Sequence, residues 1–161
     1  MNSVLDQLTE SGVPFKVGSH RPAVTAMETA AAQHVSGKRF AKAVVVKGEG
    51  RDILAVLPAH LQVDLTKLER LACSGDLKIA SEAEFSDRFP NCQLGAMPPF
   101  GHLYGLEVYI DDDIASAPEV TFNGGTHDLT ITMTAKDFLK TAEGVVGDFS
   151  QDPAEPFYDE W

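Results

Sequence analysis

The stretch FAKAVVVKGEGRDILAVL, residues 40–57, decides the class of fold. It holds two apolar, β-branched segments, residues 40–47 and 52–57, which have the composition of strands. Between them, Gly48-Glu49-Gly50 has the composition of a tight turn. The stretch therefore predicts an antiparallel hairpin, and a hairpin excludes a purely parallel sheet.

Signals for the start of a helix occur on both sides of this hairpin. A Ser or Thr followed three residues later by Asp or Glu fits the capping box or its aspartate variant, and this spacing occurs at Ser3, Thr25, Ser81 and Thr134. Asp64 can cap a further short helix. We expect a helix after each of these positions.

Three later segments, residues 106–111, 120–123 and 128–133, also have the composition of strands, and Gly124-Gly125-Thr126-His127 joins the last two. Residues 89–105 are too rich in Gly and Pro to form a regular element. Helices interspersed with strands and hairpins predict a mixed α/β (α+β) fold, in which helices pack on a mixed sheet.

The length of 161 residues fits one domain, which we assign to residues 1–146. Residues 147–161 are acidic and bear prolines, so we expect a loosely ordered tail. No apolar run approaches the ~20 residues of a membrane-spanning helix, and the N-terminus has no signal-peptide pattern. Cys73 and Cys92 form no C-x-x-C pair, so we expect reduced thiols in a cytoplasmic protein, with neither a disulfide nor a metal site.

The net charge of −11 is unevenly distributed along the chain. Residues 16–51 carry seven basic and two acidic side chains, whereas residues 52–161 carry six basic and twenty acidic ones. This distribution argues against a protein that coats a long duplex, and it is compatible with a short contact with one nucleic-acid end.

Lys42 is out of place in its predicted strand. Side chains alternate with period two along a strand, so Lys42 shares a face with Phe40, Val44 and Val46. A lysine on an apolar face extends to solvent, protects a sheet edge or binds an anion. From the pattern alone, the first two explanations, which are structural, are favoured over anion binding.

The segment Gly95-Ala96-Met97-Pro98-Pro99-Phe100-Gly101 and His127 each have a functional and a structural explanation. Glycines let backbone N–H groups approach a ligand and prolines stiffen them, which suits an oxyanion, but the segment can also be a rigid surface turn. His127 can transfer protons near neutral pH, or it can be a solvated turn residue. The sequence has no H-E-x-x-H, P-loop, G-x-S-x-G or G-x-G-x-x-G motif, so the enzyme classes defined by them lack support.

The order of these features resembles the YbaK/prolyl-tRNA synthetase-associated editing-domain family. The resemblance covers about residues 20–141. The matching segments are residues 40–47, 53–59 and 63–65, residues 79–81 with Glu84, the G-x-x-x-P-x-G loop of Gly95, Pro99 and Gly101, and residues 122–127. It implies a mixed, partly barrel-like sheet surrounded by helices.

The resemblance also implies an activity: hydrolysis in trans of the ester that links a wrong amino acid to tRNA, without a covalent intermediate. As a hypothesis, Lys42 binds a phosphate of the terminal adenosine, and backbone N–H groups near Gly101 stabilise the oxyanion. Water is activated by His127, which matches a histidine of the synthetase-inserted branch, or by the substrate's free ribose hydroxyl. Further residues are expected to bind substrate: Thr25, Gly95, Met97, Pro99, Phe100, Asn123 and Gly124.

The implied partner is the acceptor end of a tRNA, with an aminoacyl-tRNA synthetase as an optional transient partner. No cofactor, metal, DNA or membrane is implied. Alanine, cysteine, serine and threonine all stay candidates for the amino acid removed, because one methylene is worth only ~1–3 kcal/mol of discrimination. Two alternatives stay open: a non-catalytic module of the same fold that binds a tRNA end or small ligand, and a hydrolase of free aminoacyl esters or acylated metabolites.

Overall fold

The computed structural model describes residues 3–19, 40–89, 92–93 and 96–153. Its helices are α1 (Ser3–Ser11), α2 (Leu65–Ala72), α3 (Glu82–Phe85), α4 (Asp112–Ala115) and α5 (Ala135–Ala142), with 3₁₀ turns at Ser86–Arg88 and Gly101–Tyr104. Its strands are β1 (Lys16–Ser19), β2 (Ala41–Gly48), β3 (Arg51–Pro58), β4 (Gln62–Val63), β5 (Lys78–Ile79), β6 (Glu107–Asp111), β7 (Glu119–Asn123), β8 (Leu129–Thr134), β9 (Val145–Gly147) and β10 (Ser150–Gln151).

The predicted hairpin is confirmed and forms the centre of the larger sheet. β2 and β3 pair antiparallel from Ala41 opposite Pro58 to Gly48 opposite Arg51. Only Glu49 and Gly50 lie between the paired ends, and Gly50 has a φ of +71°, a conformation that glycine adopts without a steric cost. The turn is therefore one residue shorter at its start than the predicted Gly48-Glu49-Gly50.

The sheets are mixed, as the sequence predicted. The five-stranded sheet has the order β5-β2-β3-β6-β9, in which the β3–β6 and β6–β9 pairs are parallel and the others antiparallel. An antiparallel sheet of order β1-β8-β7 and the pair β10-β4 complete the arrangement. The described strands do not close into a barrel; a single parallel bridge, from Phe40 to Thr121, connects the two larger sheets.

Apolar side chains fill both faces of the five-stranded sheet. Between this sheet and the β1-β8-β7 sheet, Phe100 contacts Phe122 and Phe138 with ring centroids 5.3 and 5.8 Å apart. On the opposite face, α2 covers β2 and β3 through Leu68 and its neighbours. Burial on both faces explains why β3 is almost continuously apolar.

Three of the predicted helix starts are confirmed with their capping bonds. The side chain of Asp64 accepts a hydrogen bond from the Lys67 N–H at 3.1 Å, and Thr134 accepts one from the Asp137 N–H at 3.2 Å. At α3 the Glu84 carboxylate accepts from the Ser81 N–H at 3.0 Å. A helix also begins at Ser3, whereas the helix predicted after Thr25 lies outside the described residues.

Residues 147–151, which the sequence assigned to a loose tail, pack against the domain. Phe149 is fully buried, and its carbonyl accepts from the Asp64 N–H at 2.7 Å. The buried carboxylate of Asp111 accepts from the N–H groups of Phe149 and Ser150 at 3.0 and 3.1 Å. The acidic composition of this stretch hid these anchors, and residues 154–161 lie outside the described part.

The segment 89–105 differs from its prediction in one respect. Gly101–Tyr104 forms a 3₁₀ turn, whereas residues 92–93 and 96–100 have no helix or strand. Among the described residues, no helix is long and apolar enough to span a membrane.

Candidate functional site

Lys42 lies near the start of β2, opposite Leu57 of β3. Alternation puts its side chain on the face that carries Val44 and Val46, as predicted, and this face packs on the cluster that contains Leu57. Lys42 is half-buried, and burial lowers the pKa of its ammonium group from the ordinary lysine value. Within the described residues it forms no ion pair, so no local carboxylate compensates its charge.

The bridge between the two larger sheets joins the chain just before β2 to strand β7. Phe40 pairs with Thr121 in a parallel sense, and Lys42 and Asn123 each lie two residues further along their strands. Since both strands alternate with the same period, the two side chains extend on the same side of the bridge. Asn123 is only 4% exposed, so its amide group lies in the interior of the protein close to this bridge.

Hydrogen bonds join the irregular segment that ends at Gly101, here called the Gly/Pro loop (described residues 92–93 and 96–101), to the turn between β7 and β8. The Gln93 N–H donates to the Gly125 carbonyl at 2.8 Å, and the Gly125 N–H donates to the Ala96 carbonyl at 3.0 Å. The Gln93 side chain accepts from the His127 N–H at 2.6 Å. Two segments that the sequence singled out separately, the loop and the histidine-bearing turn, therefore form one structural unit.

His127 is half-buried at the tip of this turn. Its Nδ1 atom is buried and has no hydrogen-bond partner in the structure. The turn is held by a bond from the Gly124 N–H to the Leu129 carbonyl at 2.9 Å, and by one from the Thr126 hydroxyl to Asp128 at 2.6 Å. Gly124 itself packs against Leu129, whose side chain leaves little room for a Cβ.

Gly101 and Phe100 have clear packing roles. A Cβ on Gly101 would lie 2.7 Å from a Val108 methyl and 2.9 Å from the Leu106 carbonyl oxygen, so only glycine fits there. Phe100 is fully buried in the central cluster. The expected substrate contact of Phe100 is therefore replaced by a supporting role beneath the loop.

The other predicted substrate-binding residues divide into two groups. Met97 is 7% exposed and packs with Phe85 and Phe89, and Pro99 is also buried, so both shape the loop from inside. Thr25 and Gly95 lie outside the described residues. Of the predicted set, Asn123, Gly124 and His127 lie at the end of β7 and in the turn after it, and Lys42 lies two residues after the bridge from Phe40 to β7.

Two polar residues near this region were missed by the sequence analysis. Gln93 is one glutamine in an irregular segment, and no sequence pattern signals its bond to His127. His60 follows β3 in a turn fastened to β2 by the bond from the Ala59 N–H to the Phe40 carbonyl, and its Nδ1 is buried without a partner. The hairpin register could have placed His60 near Phe40, but its burial depends on the full fold.

Cys92 and Tyr104 form a half-buried polar pair beside the loop. The Cys92 thiol and the Tyr104 hydroxyl lie 3.3 Å apart, and burial raises the pKa of each group. Both groups are therefore protonated near neutral pH, which makes Cys92 an unreactive thiol. No group of three or more His, Cys, Asp or Glu side chains in the described part is placed to hold a metal ion.

Comparison with known proteins places these features in a family context. The model of the aminoacyl-tRNA editing domain matches residues 20–141. The chain is 30% identical over 141 residues to the multifunctional Ser/Thr-tRNA deacylase ProXp-y of Escherichia coli K12, covering 84% of each chain.

Solved structures share the fold. A proposed trans-editing enzyme for prolyl-tRNA synthetase superposes with a TM-score of 0.80 at 30% identity, covering 92% of this chain and 94% of that one. The hypothetical protein APE2540 gives a TM-score of 0.84 at 19% identity, covering 92% and 99% of the two chains. The second likeness concerns the fold alone.

Proposed function

Since this chain belongs to the aminoacyl-tRNA editing domain family, we propose that it hydrolyses the ester bond of mischarged aminoacyl-tRNA in trans. One structural observation supports the proposal beyond membership: the partly desolvated charge of Lys42, which forms no ion pair with any described residue and lies two residues after the bridge to β7. A half-buried cation without a counterion is unfavourable in the free protein, and an anionic ligand relieves that cost. The phosphates at a tRNA acceptor end supply such an anion.

Lys42 binds a phosphate of the terminal adenosine and so fixes the ester relative to the β7–β8 turn. An ammonium group is a suitable point-charge partner for phosphate. Its partial burial strengthens the contact, because a charge pair in a less polar environment is screened less by water. Asn123 and Gly124 line the wall beside it and contribute polar contacts to the sugar or to the amino acid.

Hydrolysis proceeds by attack of water on the ester carbonyl carbon. His127 takes the proton of the attacking water, or the substrate's free ribose hydroxyl accepts that proton while it donates its own to the neighbouring ester oxygen that leaves. Stabilisation of the tetrahedral oxyanion is assigned to backbone N–H groups of the loop that ends at Gly101, because this loop is joined to the β7–β8 turn by hydrogen bonds of Gln93 and Ala96. The carbon–oxygen bond to the ribose then breaks, its oxygen gains a proton, and the free amino acid and the uncharged tRNA leave.

Serine and threonine are the first candidates for the amino acid removed, because the E. coli relative is a Ser/Thr-tRNA deacylase. Alanine and cysteine are similar in size. A pocket that only excludes bulk separates such side chains weakly, by ~1–3 kcal/mol per methylene. Breadth of substrate use therefore fits a protein that corrects several kinds of error.

The acidic remainder of the chain limits its contact with tRNA. With a net charge of −11, it repels most of a polyanionic tRNA body, so contact is restricted to the acceptor end. A transient complex with an aminoacyl-tRNA synthetase would supply the missing affinity, since two linked contacts raise the effective concentration.

A deacylation panel tests the proposal. Purified protein is incubated with tRNAs mischarged with serine, threonine, alanine or cysteine, and the loss of the ester is followed under single-turnover conditions. Faster ester loss for at least one tRNA is expected. Binding without any acceleration would instead indicate a non-catalytic module of the same fold.

Acylated adenosine separates the remaining alternative. The same amino acid is presented on full tRNA and on the minimal nucleoside, which lacks the phosphates proposed to bind Lys42. The nucleoside is expected to react much more slowly. Equal rates would show that the protein is a general hydrolase of small acylated compounds.

A further inference from the structure

Gln93 contacts the histidine-bearing turn at two points. Its backbone N–H donates to the Gly125 carbonyl at 2.8 Å, and its side-chain oxygen accepts from the His127 N–H at 2.6 Å. The acceptor and the donor belong to residues two apart on the same turn. Gln93 therefore holds the backbone on either side of Thr126.

The bond to Gln93 has particular weight for His127. Among the described residues, Gln93 is the hydrogen-bond partner that the structure gives for His127, and the Nδ1 atom of the imidazole has no partner there. The other bonds of the turn hold Gly124, Gly125 and Thr126. The backbone position from which the imidazole extends is therefore held by the Gln93 side chain.

The arrangement separates positioning from folding. The bonds from the Gln93 N–H and from the Gly125 N–H are formed by the backbone, so they persist when the Gln93 side chain is changed. Gln93 is also exposed, which means that its side chain contributes little to the core. Removing the side-chain acceptor should free His127 without unfolding the loop or the turn.

We propose that Gln93 is a positioning residue, which holds His127 at the angle required in the deacylation site. This inference rests on the proposed function and on the role of His127 in it. A glutamine also suits this position electrostatically, because the neutral amide of Gln93 accepts the hydrogen bond without placing a negative charge near the substrate phosphates. A carboxylate at this position would accept the bond equally well and repel the tRNA.

Three variants test the inference. Gln93→Met keeps the length of the side chain and removes the acceptor, Gln93→Glu keeps the acceptor and adds a charge, and Gln151→Met is the matched control. Gln151 is also exposed and bonds the backbone of a neighbouring strand, at Val63, outside the site. Each variant is measured for kcat and KM on the best mischarged tRNA, and for hydrogen exchange of the backbone amides.

Gln93→Met is expected to lower kcat about tenfold, the equivalent of one net hydrogen bond, with KM within about twofold of wild type. Gln93→Glu should restore kcat to within about threefold and raise KM, because of the added charge. The His127 amide should exchange faster in Gln93→Met alone, while the Gly125 amide stays protected through Ala96. Gln151→Met should match wild type throughout.

Wild-type kcat in Gln93→Met, or failure of Gln93→Glu to restore it, would overturn the inference. So would an unchanged exchange rate of the His127 amide in Gln93→Met, because it would show that Gln93 does not hold the turn. The exchange measurement needs no substrate. An inactive wild-type protein would therefore refute the proposed function and the catalytic consequence, while the exchange rates would still decide whether Gln93 fixes His127.

Discussion

The two ends of strand β2 carry lysines in opposite electrostatic settings. At one end Lys47 lies 3.6 Å from the carboxylate of Glu84, and the neighbouring Arg51 and Arg88 pair with Glu107 and Asp52. At the other end Lys42 is half-buried and has no ion pair within the described residues. The first arrangement is internally neutralised and serves the fold. In the second, no described carboxylate pairs with the cation, as is expected of a lysine that binds an anionic ligand.

The contrast also shows why residue type is a poor guide on its own. Both lysines occur in the same apolar strand, and the sequence singled out Lys42 only because its neighbours are apolar. The difference between them is made by distant segments: Glu84 of α3 pairs with Lys47, whereas no described carboxylate pairs with Lys42. The function of each lysine follows from what the fold brings to it.

The largest effect is expected from Lys42→Met. The substitution keeps much of the side-chain volume and removes the charge, so it should lower the single-turnover deacylation rate by at least about 100-fold, a loss of about 3 kcal/mol of substrate and transition-state binding. Lys47→Met, on the same strand, is the matched control and should stay within about twofold of wild type, since its ion pair is exposed. Equal losses in the two variants would break the contrast between the two ends of β2.

His127→Ala is expected to lower the deacylation rate less than Lys42→Met does. General acid–base catalysis is worth up to about 10²–10⁴-fold, but the substrate's ribose hydroxyl can replace the imidazole, so we expect a decrease of about tenfold. A substrate whose free ribose hydroxyl is replaced by hydrogen should sharpen the result, because the variant then has neither the imidazole nor the hydroxyl that relays the proton. If His127→Ala and wild type respond identically to that substrate, His127 has no role in proton transfer.

The sequence predicted most of the secondary structure, because hairpin turns and helix caps are local signals. The Gly48–Arg51 turn, the Asp64 cap and the Thr134 cap all depend on residues a few positions apart. The hydrogen bond from the Phe149 N–H to the Asp111 carboxylate was not predicted, because the two residues are 38 positions apart and Phe149 lies in an acidic stretch. Long-range pairing of this kind leaves no local pattern.

The candidate site was predicted in part for the same reason. Lys42 and His127 were found through strand alternation, turn composition and resemblance to a family. The Phe40–Thr121 bridge, which joins the start of β2 to β7, and the bond from His127 to Gln93 depend on long-range packing that leaves no local pattern. Phe100 was assigned to substrate because it lies within the loop motif, and its ring instead fills the core.

At the opposite end of β2, Arg51→Met should reduce stability without affecting catalysis. The Arg51 guanidinium donates to both oxygens of Glu107 at 2.8 and 2.7 Å, to the Ala72 carbonyl at 2.7 Å and to the Tyr109 hydroxyl at 3.1 Å. Loss of this network should lower the free energy of unfolding by about 1–2 kcal/mol, measured by urea denaturation. The deacylation rate of the folded variant should stay at the wild-type level, and a large loss would show that this end also serves the site.

The smallest effect concerns the stability of the Lys42 end and its dependence on pH. Burial lowers the pKa of Lys42 in the folded protein, so at neutral pH the folded state holds a charge that the unfolded chain solvates better. Lys42→Met should therefore be as stable as wild type or more stable, by less than about 1 kcal/mol, because the site is only half-buried. As the pH rises through the folded pKa of Lys42 toward 10.5, the folded wild type loses the proton before the unfolded chain does. This loss raises the free energy of unfolding of the wild type, so the difference in stability between Lys42→Met and wild type becomes smaller. Urea denaturation of both proteins at several pH values measures this trend. A variant that is less stable than wild type at neutral pH would mean that Lys42 supports the fold and is not held there, at a cost in stability, for an anion.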